Sequence, residues 1–492
     1  MIDCIPWVSS VSPIFSLSDA SSILPVLATA TESEATAESS IVMSGVLLSL
    51  VVVYFASKIG GEICARINLP PVLGDLVGGV VVGVSALNLL VFPESGAHAA
   101  DSAILNFLQT TGGLTPAAAD ATFAAISEVI SVLSELGVII LLFEIGLESE
   151  LAELIKYGPQ AAVVAVIGVV VPFSLGTVGL ITLFGTPTIP AIFAGAALTA
   201  TSIGITAKVL AEIDRLSSKE GQIIIGAAVL DDVLGIIVLA VVASLVKTGE
   251  IEVTNILYLS ISAGAFLIGA IVLGRFLGPY FVALVKELKT RGPLLISALI
   301  FAFILSYLGA AIHLEAILGA FAAGLVLGET EIQRELEEQV IPIADMFVPI
   351  FFVVVGAQTD IGVLNPAVPS NREGLIIASF LIVVAIVGKV VTGLTVFGQP
   401  GINKWAIGVG MIPRGEVGLV FAGVGAASGV LSDSLQAAII VMVILTTFIA
   451  PPWLRNVFQK SSEVAGVRES QEEEKAGGAG EGRSGDTETR RP

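Results

Sequence analysis

The residues best able to do chemistry lie in the most apolar parts of the chain. Asp231 and Asp232 adjoin in the middle of Gly226–Ala240, and Lys389 occupies the centre of Leu381–Leu394. Pro413-Arg414-Gly415-Glu416 interrupts the apolar run 402–429, and Thr201-Ser202 falls inside 190–213. An aspartate at the centre of a membrane helix costs about 2.5 to 3.5 kcal/mol on insertion scales, so an adjacent pair requires partners or a task. Lys389 is too central to snorkel to an interface and needs a carboxylate. Neighbours on a helix point about 100° apart, so one aspartate can pair with Lys389 while the other faces a water-filled cavity. A carboxylate so placed can hold either a dehydrated cation or a proton. The competing reading is a buried ion pair that only fixes helix packing; the second aspartate argues against it, because packing needs one.

Elements that position such residues must span a membrane. Of the 492 residues 55% are hydrophobic and only 13% charged, and the mean hydropathy is +0.95. Apolar runs of helix-spanning length recur at about 41–60, 70–92, 124–147, 157–185, 190–213, 218–247, 254–277, 292–311, 313–328, 339–361, 374–398, 402–429 and 433–457. Each suits a hydrocarbon core about 30 Å thick, and none alternates as a barrel strand would. The fold class is therefore an all-α polytopic membrane protein with thirteen transmembrane helices, only a short turn near His313 dividing two of them.

Lys and Arg set the orientation. Lys58, Arg66, Lys156, Arg215, Lys219, Lys286, Lys289, Arg291, Arg334, Lys404, Arg455 and Lys460 fall on one side. The other side holds little more than Lys247 and Arg372, with Glu94, Asp101, Glu250, Glu252 and Asp360. This places the N-terminus outside and the C-terminus in the cytoplasm. Residues 1–40 read as a flexible extracytoplasmic arm, 41–460 as the membrane domain and 461–492 as a disordered, Gly-rich acidic tail. The formal charge of −20 excludes a basic nucleic-acid surface. Cys4 and Cys64, His98 and His313 form no metal or disulfide framework. No phosphate loop follows the last span, so neither a nucleotide nor a resident cofactor is expected.

Taken as six, one and six, the spans suggest inverted repeats, whose binding site lies between helices broken near the midplane. Pro413 removes a backbone donor and its neighbouring glycines allow unwound dihedrals, so a break in 402–429 is expected. For Thr199-Ala-Thr201-Ser202-Ile-Gly204 two readings stand, a break and ordinary small-residue packing. Arg414 and Glu416 are read as charge compensation, neutralising one another or the half-helix dipoles. Glu144, Glu148 and Asp345 fall near cytoplasmic span ends and are read as interfacial.

Several stretches together resemble the monovalent cation:proton antiporter superfamily, specifically its two-aspartate, electrogenic-type sodium/proton exchanger branch. They are Asn68–Gly74, Leu142–Glu148, Thr199–Gly204, Val229–Gly235, Pro349–Gly356, Gly388-Lys389 and Pro413–Glu416, in family order. The resemblance implies a core built on two crossing broken helices (about 124–247 and 339–457 here) moving against a dimerisation scaffold. It implies that Asp232 binds sodium or a proton, that Asp231 pairs with Lys389, and that Thr201 and Ser202 lie beside the ion. It further implies a homodimer in the cell membrane that exchanges sodium, with lithium a second candidate, for more than one proton, serving pH and sodium homeostasis. Potassium–proton exchange is the alternative within the class. A proton-conducting subunit of a redox complex is the alternative outside it, since that too would bury Asp and Lys. An intramembrane aspartyl protease is disfavoured, because its two acids must face one water from separate helices.

Overall fold

A computed structural model of the chain describes residues 32–93, 97–112, 116–248, 253–290, 292–367, 369–398 and 401–481. The elements run α1 (Glu32–Arg66), α2 (Pro71–Val82), α3 (Ala103–Gly112), α4 (Pro116–Glu148), α5 (Leu151–Phe184), α6 (Thr188–Ala197), α7 (Ile203–Glu212) and α8 (Lys219–Thr248). Then follow α9 (Val253–Glu287), α10 (Pro293–Ala311), α11 (Ala316–Gly328), α12 (Gln333–Ala357), α13 (Pro369–Leu394), α14 (Lys404–Gly410), α15 (Glu416–Ala427) and α16 (Asp433–Glu481). No strand occurs among the described residues.

Nine of the described helices are long and apolar enough to cross a bilayer: α1, α4, α5, α8, α9, α10, α12, α13 and α16. Two expected spans are single shorter helices, α2 and α11, and two are interrupted pairs, α6/α7 and α14/α15. The ten residues of α6 and the ten of α7 each rise about 15 Å, so only in series do they match the hydrocarbon thickness.

Large apolar side chains point outward on α9, among them Leu257, Ile261, Ile268, Val272 and Phe276. Such a surface would drive aggregation in water and suits lipid.

The expected span 70–92 differs. Helix α2 stops after Val82, and the N–H groups of Leu87, Leu89 and Leu90 turn back to the carbonyls of Val81 and Val82. Asn88 takes the left-handed conformation that this return requires (φ 49°). Leu90, Val91 and Phe92 are thereby buried beside α3, an element not expected from the sequence. Apolar composition alone does not distinguish a buried return from a continuing helix. The turn at His313 lies between α10 and α11, with His313 itself left-handed (φ 64°). Residues 1–31 of the expected arm and 482–492 of the expected tail lie outside the described residues, and α16 continues to Glu481.

The helices pack as two groups. One comprises α1, α2, α4, α10, α11 and α12; the other comprises α5, α6, α7, α8, α13, α14, α15 and α16; α9 runs between them against α8, α10 and α11. The expected core ranges take in α4 and α12, yet these two pack on one another and on α2 and α11. Glycines bring backbones of the first group into direct contact. A Cβ on Gly324 of α11 would lie 2.3 Å from the Phe143 carbonyl of α4, and one on Gly356 of α12 would lie 2.2 Å from the Leu76 carbonyl of α2. Close approach of this kind is how helices adhere where lipid offers no hydrophobic driving force.

Candidate functional site

Interruptions 198–202 and 411–415 cross one another in the middle of the second group. A broken helix leaves orphan carbonyls at one stump and orphan N–H groups at the other. Here each interruption satisfies the other. Ser202 donates its backbone N–H to the Pro413 carbonyl at 2.9 Å. The hydroxyl of Thr201 donates to the Met411 carbonyl at 3.2 Å, and that of Thr206 to the Gly410 carbonyl at 2.9 Å. Arg414, fully buried, donates from its two terminal nitrogens to the carbonyls of Ala200 at 2.8 Å and Leu198 at 2.6 Å. Thr447 of α16 donates its hydroxyl to the Arg414 carbonyl.

Each break has its own cause. Pro413 supplies no amide hydrogen and biases Ile412 away from helix, so 411–415 is written in the covalent chemistry. The 198–202 break contains no proline and is made by its partner, which draws off the Leu198 and Ala200 carbonyls. Of the two readings open for Thr199–Gly204, the structure has the break. Arg414 sets its guanidinium against the carbonyl end of α6. Glu416 begins α15, and its side chain lies outside the described residues.

Asp231 and Lys389 meet beside this crossing. The ammonium lies 3.1 and 3.3 Å from the two carboxylate oxygens, and both side chains are fully buried. The pair joins α8 to α13, one helix from each half of the sequence. Gly168 of α5 makes room for it, since a Cβ there would stand 3.1 Å from Lys389 Nζ. Removal of either partner would strand a charge in low dielectric, which typically costs about 3 to 5 kcal/mol.

Asp232 points elsewhere, as the helical offset requires. It lines a cavity of about 20 Å³ together with Ala200, Thr201, Ser202, Ile203, Ile236, Glu315, Ile317, Gly415 and Val417. That volume is about one water or one partly dehydrated ion. The Ser202 hydroxyl on this wall is buried and has no hydrogen-bond partner among the described residues. Gly415 keeps the wall open, because a Cβ there would press within 2.8 Å of the Ser202 oxygen. Carboxylate and hydroxyl oxygens are what a hard monovalent cation prefers.

Asp231, Asp232, Lys389, Thr201, Ser202, Pro413 and Arg414 thus lie about one crossing. Asp345 instead lines a second cavity of about 310 Å³ near the opposite end of the bundle. Lys58, Glu62, Asp75, Lys208 and Glu212 share its walls, and Glu212 accepts the Val72 amide at 3.1 Å. Asp75 could have been found, because it is an acid inside the apolar run Pro71–Val82. Glu315 carries no such signal, as it follows a turn and precedes an apolar helix. Among the described residues no group of three or more His, Cys, Asp and Glu could hold a metal.

Residues 23–460 match the sodium/hydrogen exchanger transmembrane family. The chain is 68% identical to the high-affinity Na+/H+ antiporter NhaS3 of Synechocystis, over 88% of this chain and 94% of that protein. It is 31% identical to the Na+/H+-K+ antiporter GerN of Bacillus cereus, over 83% of this chain and 95% of that protein. In fold it is similar to the sodium proton antiporter MjNhaP1 of Methanocaldococcus jannaschii, with a TM-score of 0.55 at 16% identity, covering 86% of this chain and 97% of that one. With the family model matching most of the chain and a relative 68% identical over nearly its whole length, the chain belongs to the sodium/hydrogen exchanger family.

Proposed function

We infer that this chain exchanges sodium for protons across a membrane, with Asp232 as the residue that either ion neutralises. The observation that carries the reading is the ion-sized cavity lined by both the Asp232 carboxylate and the Ser202 hydroxyl, the latter unpartnered among the described residues. A buried carboxylate crosses a low-dielectric barrier cheaply only when neutralised, so sodium and a proton compete for one vehicle. No bond of a substrate is made or broken, and the chain needs no catalytic cofactor for this task.

Two aspartates at the crossing allow more than one proton per sodium. The Asp231, Asp232, Lys389 and Arg414 side chains gathered at the crossing sum to zero when all are ionised. Sodium at Asp232 makes the sum +1, whereas a proton on each aspartate makes it +2. A cycle built on these two loaded states moves one net charge. Lys389 is the device that couples the second proton, because protonation of Asp231 releases it. The site works in the cell membrane as part of a homodimer, N-terminus outside, by the Lys and Arg bias and the family resemblance.

The test uses proteoliposomes loaded with a pH-sensitive dye and an imposed proton gradient. Sodium should dissipate the gradient with the parent protein and not with Asp232→Asn; dissipation by the variant at the parent rate would sink the assignment. Potassium is the second reading, favoured by the likeness to GerN, whose name includes both ions. Parallel additions of sodium, lithium and potassium separate the two.

A further inference from the structure

Of the described residues that line the Asp232 cavity, all but two come from the group of helices that contains the crossing. The exceptions are Glu315 and Ile317, at the start of α11 in the other group. Among the described residues, Asp232 and Glu315 are the charged side chains on the cavity wall, one from each group of helices. Asp232 is 6% exposed, whereas Glu315 is solvent-exposed and its side chain does not cap its own helix. The buried Ser202 hydroxyl, without a hydrogen-bond partner among the described residues, lines the same cavity. The second, larger cavity lies along the seam between the groups towards the other end of the bundle, where α7 meets α1, α2 and α12.

We propose that Glu315 is a positioning and specificity residue for the transported cation, receiving it at the mouth of the cavity and passing it across the seam to Asp232 and Ser202. The inference rests on the cation–proton exchange proposed above. A cation entering a 20 Å³ space must lose most of its water, and it does so more readily if an anionic oxygen replaces part of the shell before the buried site is reached. A cleft lined by one sign of charge between low-dielectric walls also raises the local cation concentration. Because Glu315 belongs to the facing group, it can serve the ion only while Asp232 lies opposite α11. Its influence therefore belongs to one side of the membrane, the outside by the Lys and Arg bias.

The consequence is an asymmetry that a packing role would not produce. In proteoliposomes of determined orientation, sodium is titrated separately on each face for the parent, Glu315→Gln and Glu315→Asp. For Glu315→Gln we expect the half-saturating sodium concentration to rise about tenfold on the face of the α11 N-terminus. The value on the opposite face should stay unchanged, and Glu315→Asp should restore most of the loss. An equal shift on both faces, no shift, or a Glu315→Asp variant as impaired as Glu315→Gln overturns the proposal. If Glu315→Gln does not fold, Ile317→Lys places a positive charge on the same wall and must raise the half-saturating sodium on the same face; an unchanged value again overturns it. A parent protein that shows no sodium-driven proton movement defeats the exchange reading itself, and this inference with it. A working parent with a face-independent variant defeats this inference alone.

Discussion

Lys389 and Asp231 depend on one another more than on their surroundings, since neither has water to fall back on. Lys389→Ala should lower the stability of the purified protein by about 3 to 5 kcal/mol, because it leaves a carboxylate buried without its counter-charge. Adding Asp231→Asn to that variant should recover most of the loss, as removal of both charges ends the mismatch. Thermal unfolding in detergent reads both, and a double variant no more stable than the single would refute the pairing argument. Gly415→Ala tests the cavity: its methyl group would press on Ser202, which must shift, so sodium-driven exchange should fall and the unfolding temperature should drop with it. The Asp pair and Lys389 were legible in the sequence because an ionised side chain in an apolar run is costly whatever surrounds it. Glu315 was not, because an acid after a turn is ordinary, and only folding brings it opposite Asp232.

At the scale of the element, the crossing holds together through carbonyls that no regular helix would leave over. Arg414 serves two of them at once, which its planar fork allows and a lysine ammonium reproduces poorly. Arg414→Lys keeps the charge but should still cost roughly 2 kcal/mol or more, by leaving a buried carbonyl unpaired. An unfolding temperature equal to the parent's would mean that charge alone matters there. In the other group, Gly324→Leu should separate α11 from α4, since the space for even a Cβ is taken by the Phe143 carbonyl. Loss of folded protein on size-exclusion chromatography is the expected result. The 411–415 break could be read from Pro413, whose chemistry is local. The 198–202 break could not, because its cause lies more than two hundred residues away in Arg414. The return after Val82 was hidden for a similar reason: the same apolar residues serve equally as helix facing lipid or as chain folded beneath it.

For the whole molecule, the charge count at the crossing predicts a dependence on membrane potential. A charge crossing the full field gains about 2.3 kcal/mol per 100 mV. With the potential clamped negative inside, exchange of external protons for internal sodium should speed up, and reversing the sign should slow it. A rate indifferent to the clamp would show that equal charges cross in each direction. The thirteen apolar stretches conveyed where chain and lipid meet, but not that the helices divide into two packed groups, because the glycine contacts that bind one group read as plain apolar sequence.

The reciprocal bonding of the two interruptions has a genetic consequence. Since the carbonyl stump of α14 is completed by the hydroxyls of Thr201 and Thr206, a lesion at either threonine cannot be mended by its neighbours in sequence. Second-site revertants of Thr201→Val or Thr206→Val, selected for growth in sodium, should map to 410–415 or to Thr447 rather than near the original change. The two halves of the chain would then behave in selection as one allele divided in two.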